Sequence, residues 1–350
     1  MNFDKFRHTG ELSDITVIVE QREFKLHTFP LFIKSNYFKK FLASTEKISP
    51  FHIDIGENFP GGAQTFDIVA DYLYSMEITI DQNNVIPLGL AARFIECDEL
   101  SELVEKNFDD FLMLEREKND LNLTFTFLKQ CLLIQKQLAE QTSMVEKCLE
   151  TIVEIFMNGV GLSLTTTDRT NLTNLPLEWL IKLIELCPNE NKLAILPAVK
   201  HYLTARVLGF NEGVDQSNVF IPISQEETHQ ISTDQEKRMV IDEIVKVLGN
   251  EVEQMPLIWL NSVYEKALEL NCECTPILIS TLAQALLNSN DLDNCLEKIP
   301  DDVMTQLLQR IHQNKDGQIK DPELLAKVIH LRLNIIVDTS ILLLIFRSQH

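Results

Sequence analysis

All convincing strand signals in this chain lie within its first 80 residues, and this distribution limits the possible folds more than any other feature. Apolar residues alternate with more polar ones over Ile15–Val19, Phe24–Leu26 and Phe51–Ile55, and again over a short segment, Met76–Ile80. A period of two is typical of strands with one buried face. The polar turn between the first two segments predicts a hairpin. The N-terminal region is therefore expected to contain a small sheet.

Helical spacing of apolar residues surrounds these strand signals and continues alone after them. Phe29–Ala43 is rich in apolar residues at helical spacing, and Phe66–Leu73 shows one helical face after a break at Pro60–Gly62. Later helices are predicted over Leu100–Phe111 and Val145–Phe156. We therefore predict an α+β domain, in which helices cap a small sheet, followed by an all-α region of helical hairpins.

An internal repeat lies in the second half of the chain. Leu175–Leu180 reads Leu-Pro-Leu-Glu-Trp-Leu, and Met255–Leu260 reads Met-Pro-Leu-Ile-Trp-Leu. Proline suits the first turn of a helix, because its missing N–H would have no intrahelical partner there. Trp179 and Trp259 then fall on the buried face, so we interpret them as packing anchors of two hairpins rather than as ligand-binding residues. Paired helices of this kind build extended surfaces for binding proteins.

The charge balance excludes two classes of partner. The chain of 350 residues carries 31 basic and 52 acidic residues, a net charge of −21. Nucleic acids and anionic membranes both require clustered Lys and Arg, so neither is expected as a partner. The apolar run Ile341–Phe346 is far shorter than the roughly 20 residues that span a bilayer. With a polar start over Met1–Leu12 and seven scattered cysteines, the chain is expected in the cytoplasm or the nucleus.

Possible catalytic and metal-binding motifs do not withstand inspection. Pro60-Gly61-Gly62-Ala63 lacks the Lys-Ser/Thr of a phosphate-binding loop, so a tight turn that leads into a helix is the better interpretation. Cys272-Glu273-Cys274 has no second cysteine pair at zinc-ligand spacing. We therefore expect no enzyme activity, metal or cofactor.

Residues 10–112 resemble a BTB/POZ domain. The resemblance rests on Ser13-Asp14-Ile15-Thr16-Val17, on Phe24-Lys25-Leu26-His27, and on Lys34-Ser35 with Tyr37-Phe38. It implies a homodimer in which Asp14, His27 and Lys34 have structural roles. It also implies a buried ion pair of Asp14 with Lys34 near the dimer interface.

A closer resemblance is to the plant non-phototropic hypocotyl protein family. In the first hundred residues it rests on Pro60-Gly61-Gly62-Ala63, Phe66, Tyr74, Asn84-Val85 and Ala91-Ala92-Arg93-Phe94. In the second half it covers Leu175–Val207 and Lys237–Ile311, which include Leu292–Leu296 and Asp302-Val303. The chain is shorter than typical members, and Asp301 stands where they usually carry Tyr.

The resemblance and the composition together predict three domains. Residues 1–112 are the BTB/POZ dimerisation domain, residues 113–157 a helical extension, and residues 158–350 an all-helical partner-binding domain. Polar segments rich in turn formers, Asn158–Asn174 and Asn211–Gln235, are expected to be linkers, the second of them flexible.

Two functions follow from the resemblance. The first is a substrate adaptor of a cullin-3 ubiquitin ligase, whose helical region recruits an unidentified protein target. Its expected cullin contacts are Leu42, Glu46 and Tyr74. The alternative is a dimeric signalling scaffold without ubiquitin transfer. The apolar-x-Glu motif of many cullin-3 adaptors is degenerate here, with Ser44 at the apolar position, which favours the scaffold, whereas the helices over Leu121–Phe156 favour the adaptor.

Overall fold

The chain forms two compact units in the computed structural model, Met1–Val160 and Gly161–His350. The structure describes residues 4–44, 50–159, 164–212, 220–222, 233–288 and 303–305. Each unit is described by itself below.

A three-stranded sheet forms the first part of the N-terminal unit. Its strands are β1 (Ile15–Val19), β2 (Arg22–Leu26) and β3 (Phe51–Gly56), in the order β2-β1-β3. β1 pairs antiparallel with β2 and parallel with β3. The hairpin and the third strand are thus confirmed. The strand predicted over Met76–Ile80 is wrong, because this extended segment has no neighbouring strand in the described sheets to supply a hydrogen-bonded ladder.

In the described part of this unit, eight helices surround the sheet or extend from it. They are α1 (Asp4–Thr9), α2 (Thr28–Lys34), α3 (Asn36–Ser44), α4 (Gly62–Leu73), α5 (Val85–Phe94), α6 (Asp98–Lys118), α7 (Asn122–Glu140) and α8 (Met144–Met157). The helix predicted over Phe29–Ala43 is two helices, because Ser35 between them has extended backbone angles. Its buried hydroxyl donates a hydrogen bond to the Ile95 carbonyl at 2.6 Å and accepts one from the Phe38 N–H at 3.2 Å. Ser35 therefore fixes the corner between α2 and α3.

The helical extension packs directly on the last helices of the sheet-containing part. α7 contacts α5 and α8, and α8 also contacts α6. The buried Glu115 of α6 joins the two parts, since its carboxylate accepts hydrogen bonds from the N–H groups of Leu123 (2.9 Å) and Thr124 (3.4 Å) in the first turn of α7. Burial raises the pKa of Glu115 above its ordinary value. Residues 113–157 thus belong to the same compact unit as the sheet.

The glycine-rich turn before α4 is fixed by its backbone angles and by a hydrogen bond to a carboxylate. Gly61 and Gly62 have φ angles of +73° and +66°, which favour glycine. The Glu20 carboxylate reaches this turn and accepts a hydrogen bond from the Ala63 N–H at 2.8 Å. The carboxylate therefore occupies the N-terminus of α4, where an anion is stabilised. This geometry agrees with the predicted tight turn that leads into a helix.

Gly62→Ala is expected to cost about 1 kcal/mol more than Gly56→Ala, because only the first change also disturbs a helix cap. Both glycines have positive φ, but a Cβ on Gly62 would lie 2.3 Å from the Glu20 carboxylate, whereas one on Gly56 meets nothing within 4 Å. Urea denaturation of both variants measures the difference. Equal losses of stability would show that the Glu20 cap contributes nothing.

The second unit is built mostly of helices. They are α9 (Thr166–Thr173), α10 (Leu177–Leu186), α11 (Leu196–Leu203), α12 (Asp234–Leu248), α13 (Leu257–Glu269) and α14 (Thr275–Asn288), with 3₁₀ turns at Asn189–Ala194 and Gly249–Gln254 and a π-helical turn at Thr204–Leu208. The predicted fold class is confirmed, since this mostly helical region follows the sheet-containing unit in the sequence.

The two segments predicted as linkers contain regular structure. The first includes α9, which begins with a reciprocal capping box between Thr165 and Asp168. The second includes a short antiparallel pair, β4 (Phe210–Glu212) with β5 (Phe220–Pro222). Local polarity suggested loops, yet a capped helix and a strand pair satisfy their backbone groups without a long apolar pattern. The described residues of this mostly helical half therefore include one short strand pair.

The sequence repeat is also a structural repeat. Residues Leu172–Cys187 correspond to Val252–Ala267 at a constant offset of 80 positions. Along these two segments corresponding residues are buried, half-buried or exposed alike, except for the two prolines. α10 and α13 therefore bury the same face of the repeated pattern. The helices begin directly after Pro176 and Pro256.

Candidate protein-interaction surface

Asp14 and Lys34 stabilise opposite ends of α2. The Asp14 carboxylate accepts hydrogen bonds from the Thr28 N–H and hydroxyl, both at 2.7 Å. Lys34 Nζ donates to the Tyr72 carbonyl at 2.9 Å and lies 4.5 Å from the centre of the Tyr72 ring. The predicted Asp14–Lys34 ion pair is therefore wrong, because the length of α2, about 9 Å, separates the two groups.

His27 is held by hydrogen bonds at its backbone and at both ring nitrogens. Its backbone N–H donates to the Tyr74 hydroxyl oxygen at 2.7 Å, its Nδ1 lies 2.7 Å from the same oxygen, and its Nε2 lies 2.9 Å from the Glu11 carbonyl oxygen. Since a carbonyl only accepts, Nε2 donates to Glu11, and Nδ1 shares a hydrogen bond with the Tyr74 hydroxyl. His27 thus fixes the chain at the entry to α2.

Tyr74 lies in the interior of the domain. Only 4% of the residue is exposed, and burial raises the pKa of its hydroxyl to about 12. The hydroxyl therefore stays protonated and available as a donor to His27. The prediction of Tyr74 as a cullin contact is wrong, because a side chain enclosed in this network presents no surface to a partner.

The outer face of α2 is apolar and exposed. Phe29, Phe32 and Ile33 are 66%, 47% and 51% exposed, and their i, i+3, i+4 spacing places them on one side of the helix. We call these three residues the α2 face. The polar network beneath α2 fixes its position, so the face is a preformed surface. The sequence contained this spacing, but a single long helix was expected there, which hid the exposed side.

The N-terminal helix is attached to α4 by a buried arginine that the sequence did not reveal. Arg7, 7% exposed, donates hydrogen bonds to the backbone carbonyl and the carboxylate of Asp67, and its Nε lies 3.0 Å from Asp71 Oδ1. Arg22 reaches the other Asp67 oxygen at 2.7 Å. Burial raises the pKa of Asp67, but the two arginines outweigh burial, and the net pKa is lowered. Asp71 has a raised pKa, chiefly from burial.

Of the remaining predicted cullin contacts, Leu42 lies near the end of α3. Leu42 is half-buried, as is its neighbour Phe41. Glu46 lies outside the described residues. The exposed side of α6 lies in the same unit and presents Leu103, Met113 and Leu114 among acidic side chains.

Both tryptophans lie in the core of the second unit. Each is 3% exposed. Trp259 Nε1 donates a hydrogen bond to Thr204 Oγ1 at 2.8 Å, which connects α13 to the π-helical turn after α11. This placement is compatible with the packing role that the sequence suggested for them.

Two kinds of feature are absent from the residues that the structure describes. In the described ranges, no group of three His, Cys, Asp or Glu side chains has a geometry that could hold a metal ion. None of the described helices combines the length and the hydropathy needed to cross a bilayer.

Comparison with known proteins agrees with this architecture. Residues 3–112 match the BTB/POZ domain family. Two similar relatives come from Arabidopsis thaliana. The phototropic-responsive NPH3 family protein NPY2 is 30% identical over 236 residues, which are 58% of this chain and 36% of NPY2. The BTB/POZ domain-containing protein At3g50840 is 31% identical over 155 residues, 42% of this chain and 26% of that protein.

The matched part covers about a third or less of each relative's length. The resemblance to a BTB/POZ domain is nevertheless confirmed over residues 3–112. Residues 3–112 are thus a BTB/POZ domain, and the homologues of the chain include the NPH3-family protein NPY2 and several other BTB/POZ proteins of Arabidopsis.

Proposed function

We propose that this chain is a substrate-recognition subunit of a cullin-3 ubiquitin ligase that acts in the cytoplasm by binding rather than by catalysis. Its BTB/POZ domain and its NPH3-family homologues support the broader statement that it is a protein-interaction adaptor. The observation that carries the finer proposal is the packing of α7 and α8 on α5 and α6. This packing extends the BTB surface in the region where cullin-3 adaptors often enlarge their contact.

Dimerisation through the α2 face is the first part of the proposal. Exposing three large apolar side chains to water is unfavourable in free energy. Packing them against a second copy of the chain would remove this exposure. A two-fold pairing brings the same face of both copies together, and such closed dimers are the commonest oligomers. Two copies would then present two target-binding regions.

Phe32→Asp is expected to convert the dimer into a monomer at micromolar concentration, because it buries a charge in the proposed interface. Light scattering of the full chain measures the mass. Leu133→Asp is the matched control, since Leu133 is 74% exposed on α7 and outside the α2 face; this variant should stay dimeric. A monomeric wild type, or a dimeric Phe32→Asp variant, contradicts this interface.

Cullin docking on the opposite part of the domain is the second part. The proposed surface combines the segment Phe41–Pro50 with the chain near Met76 and with the helix α6. Leu42 and Glu46 remain the contacts to test, whereas Tyr74 is removed because it is buried. Few large anchors usually carry most of the binding energy of such an interface.

Glu46→Lys is expected to weaken cullin-3 binding at least tenfold and to leave the melting temperature unchanged, because a surface substitution alters stability by about 0.5 kcal/mol or less. Calorimetric titration of the full chain with cullin-3, and thermal unfolding monitored by circular dichroism, measure the two effects. Glu57→Lys, a charge reversal in the exposed turn after β3, is the control and should bind normally. Unchanged binding by Glu46→Lys rejects this docking surface.

The alternative function is a dimeric scaffold without ubiquitin transfer. Ser44 stands at the apolar position of the apolar-x-Glu motif. A serine there cannot make the apolar contact to the cullin, which favours the scaffold. A wild-type chain that forms dimers but binds no cullin-3 would establish the scaffold. In both functions the second unit, with its repeated helices, is proposed to bind the protein target.

A further inference from the structure

A cavity of about 480 Å³ opens beside the junction of α6 and α7 in the first unit. The turn at Gln82-Asn83 forms one side of it, and the last turns of α6 and the first turns of α7 form the rest. Ligand sites in proteins have volumes of about 300–1,000 Å³, so this cavity has the size of a binding site.

A buried carboxylate with one free oxygen lines this cavity. Glu115 is 6% exposed, and its Oε2 accepts the hydrogen bonds from the N–H groups of Leu123 and Thr124. In the part of the chain that the structure describes, Oε1 has no hydrogen-bond donor and no ion-pair partner. A buried charge ordinarily has a partner, because its removal from water is costly. Oε1 is therefore an acceptor that a cationic ligand can use.

The rest of the lining combines negative charge with apolar surface. Asp120 adds a second carboxylate, close enough to act on the charge of Glu115. The half-buried ring of Phe111 and the 46% exposed side chain of Leu114 supply the apolar part. Lys118 also lines the cavity, but it forms no ion pair with any described residue. Two carboxylates against one ammonium group leave the cavity with a net negative charge.

Arginine matches this lining better than lysine does. Its planar guanidinium has five N–H donors, which suit the free carboxylate oxygen and the side-chain amides of Gln82 and Asn83. Its flat face stacks on aromatic rings such as that of Phe111, whereas the compact ammonium of lysine has no such face. The net charge of −21 also favours the approach of basic partners.

We propose that this cavity binds an arginine side chain from a basic peptide segment of a protein partner, with Glu115 as its ion-pair partner. The guanidinium takes the position in front of Oε1, and its face lies on Phe111. This site goes beyond the proposed function, because it holds whether or not cullin-3 binds to the chain.

Titration of the isotope-labelled full chain with the tripeptide acetyl-Gly-Arg-Gly-amide, followed by two-dimensional NMR, tests the proposal. The amide signals of Leu123 and Thr124 should shift, because these N–H groups donate to Glu115. The same peptide with citrulline in place of arginine has nearly the same shape but no charge, and it should bind roughly tenfold or more weakly. The peptide with lysine should bind several-fold more weakly than the arginine peptide.

Glu115→Gln should weaken binding of the arginine peptide roughly tenfold or more, because glutamine still accepts hydrogen bonds from α7 but carries no charge. Glu117→Gln is the matched control, since Glu117 is exposed on the same helix and outside the cavity, and it should bind as the wild type does. Thermal unfolding shows whether Glu115→Gln is folded. If it is not, Phe111→Leu, which keeps the carboxylate and removes the aromatic face, should weaken binding several-fold.

Four results would overturn the proposal. The first is a wild-type chain whose Leu123 and Thr124 signals do not shift with the arginine peptide. The second is a citrulline or lysine peptide that binds as tightly as the arginine peptide. The third is a folded Glu115→Gln variant with unchanged binding. The fourth, where Glu115→Gln does not fold, is unchanged binding by Phe111→Leu.

Discussion

Replacing Trp259 with alanine is expected to lower the free energy of unfolding of the second unit by about 3–5 kcal/mol. The ring is 3% exposed, so truncation removes a large buried surface and leaves a cavity. It also removes the hydrogen bond from Nε1 to Thr204. Urea denaturation measures the change. It is followed by circular dichroism, so that the loss of one of the two tryptophan signals does not matter.

Two control substitutions separate packing from hydrogen bonding at this position. Trp259→Phe keeps an aromatic ring, and Thr204 still donates to the Lys200 carbonyl at 2.7 Å, so a loss of about 1–2 kcal/mol is expected. Ile258→Ala changes the adjacent side chain, which is 59% exposed, and should cost about 0.5 kcal/mol or less. A Trp259→Ala variant no less stable than Ile258→Ala would contradict the anchor role.

Arg7→Ala is expected to destabilise the first unit by about 2–3 kcal/mol at pH 7. Removing one partner of a buried charge network usually costs about 3–5 kcal/mol, and the estimate is reduced because Asp67 and Asp71 are 37% and 29% exposed. The change also leaves two carboxylates one helical turn apart on α4, and Arg22 then remains as the ion-pair partner of Asp67. Thermal and urea unfolding of the full chain measure the loss.

The effect of Arg7 should depend on pH in a defined direction. Arg7 lowers the pKa of both carboxyl groups, although for Asp71 burial outweighs it. The stabilisation by Arg7 therefore requires ionised carboxylates. The part that acts through Asp67 is complete above the unfolded pKa of about 3.9 and is lost as the pH falls through the lowered folded pKa of Asp67. The stability difference between wild type and Arg7→Ala should narrow below about pH 4. A difference that stays constant from pH 7 to pH 3 would show that Arg7 acts by packing alone.

Regular patterns in the sequence were sufficient for most of the fold. Alternation over Ile15–Val19 and Phe51–Ile55 predicted strands correctly, because each of these strands buries one face. The parallel pairing of these two strands was not predictable, since period-two patterns carry no information about direction. The kink in α7 at Gln135, where the backbone leaves helical angles, likewise has no proline or glycine to mark it.

The candidate surface was harder to predict because it depends on contacts between distant residues. Tyr74 and His27 lie 47 positions apart, and only the fold shows that the hydroxyl of one fixes the other. Asp14 and Lys34 had the right residue types for an ion pair, but each finds a nearer backbone partner. Arg7 could not be singled out, since an arginine near an N-terminus is ordinarily exposed. The spacing of Phe29, Phe32 and Ile33 placed them on one side of a helix. Their exposure could not be predicted, because it depends on the break between α2 and α3 at Ser35.

The strand order β2-β1-β3 also has a consequence for how the domain is made. β1 and β2 are separated by two residues, so their hairpin can form early during synthesis. β3 reaches β1 only after α2 and α3, and its parallel pairing closes a much longer loop. Until Gly56 has left the ribosome, one edge of the apolar central strand stays open. A nascent chain that stalls within α3 would expose this edge to chaperones and to other chains.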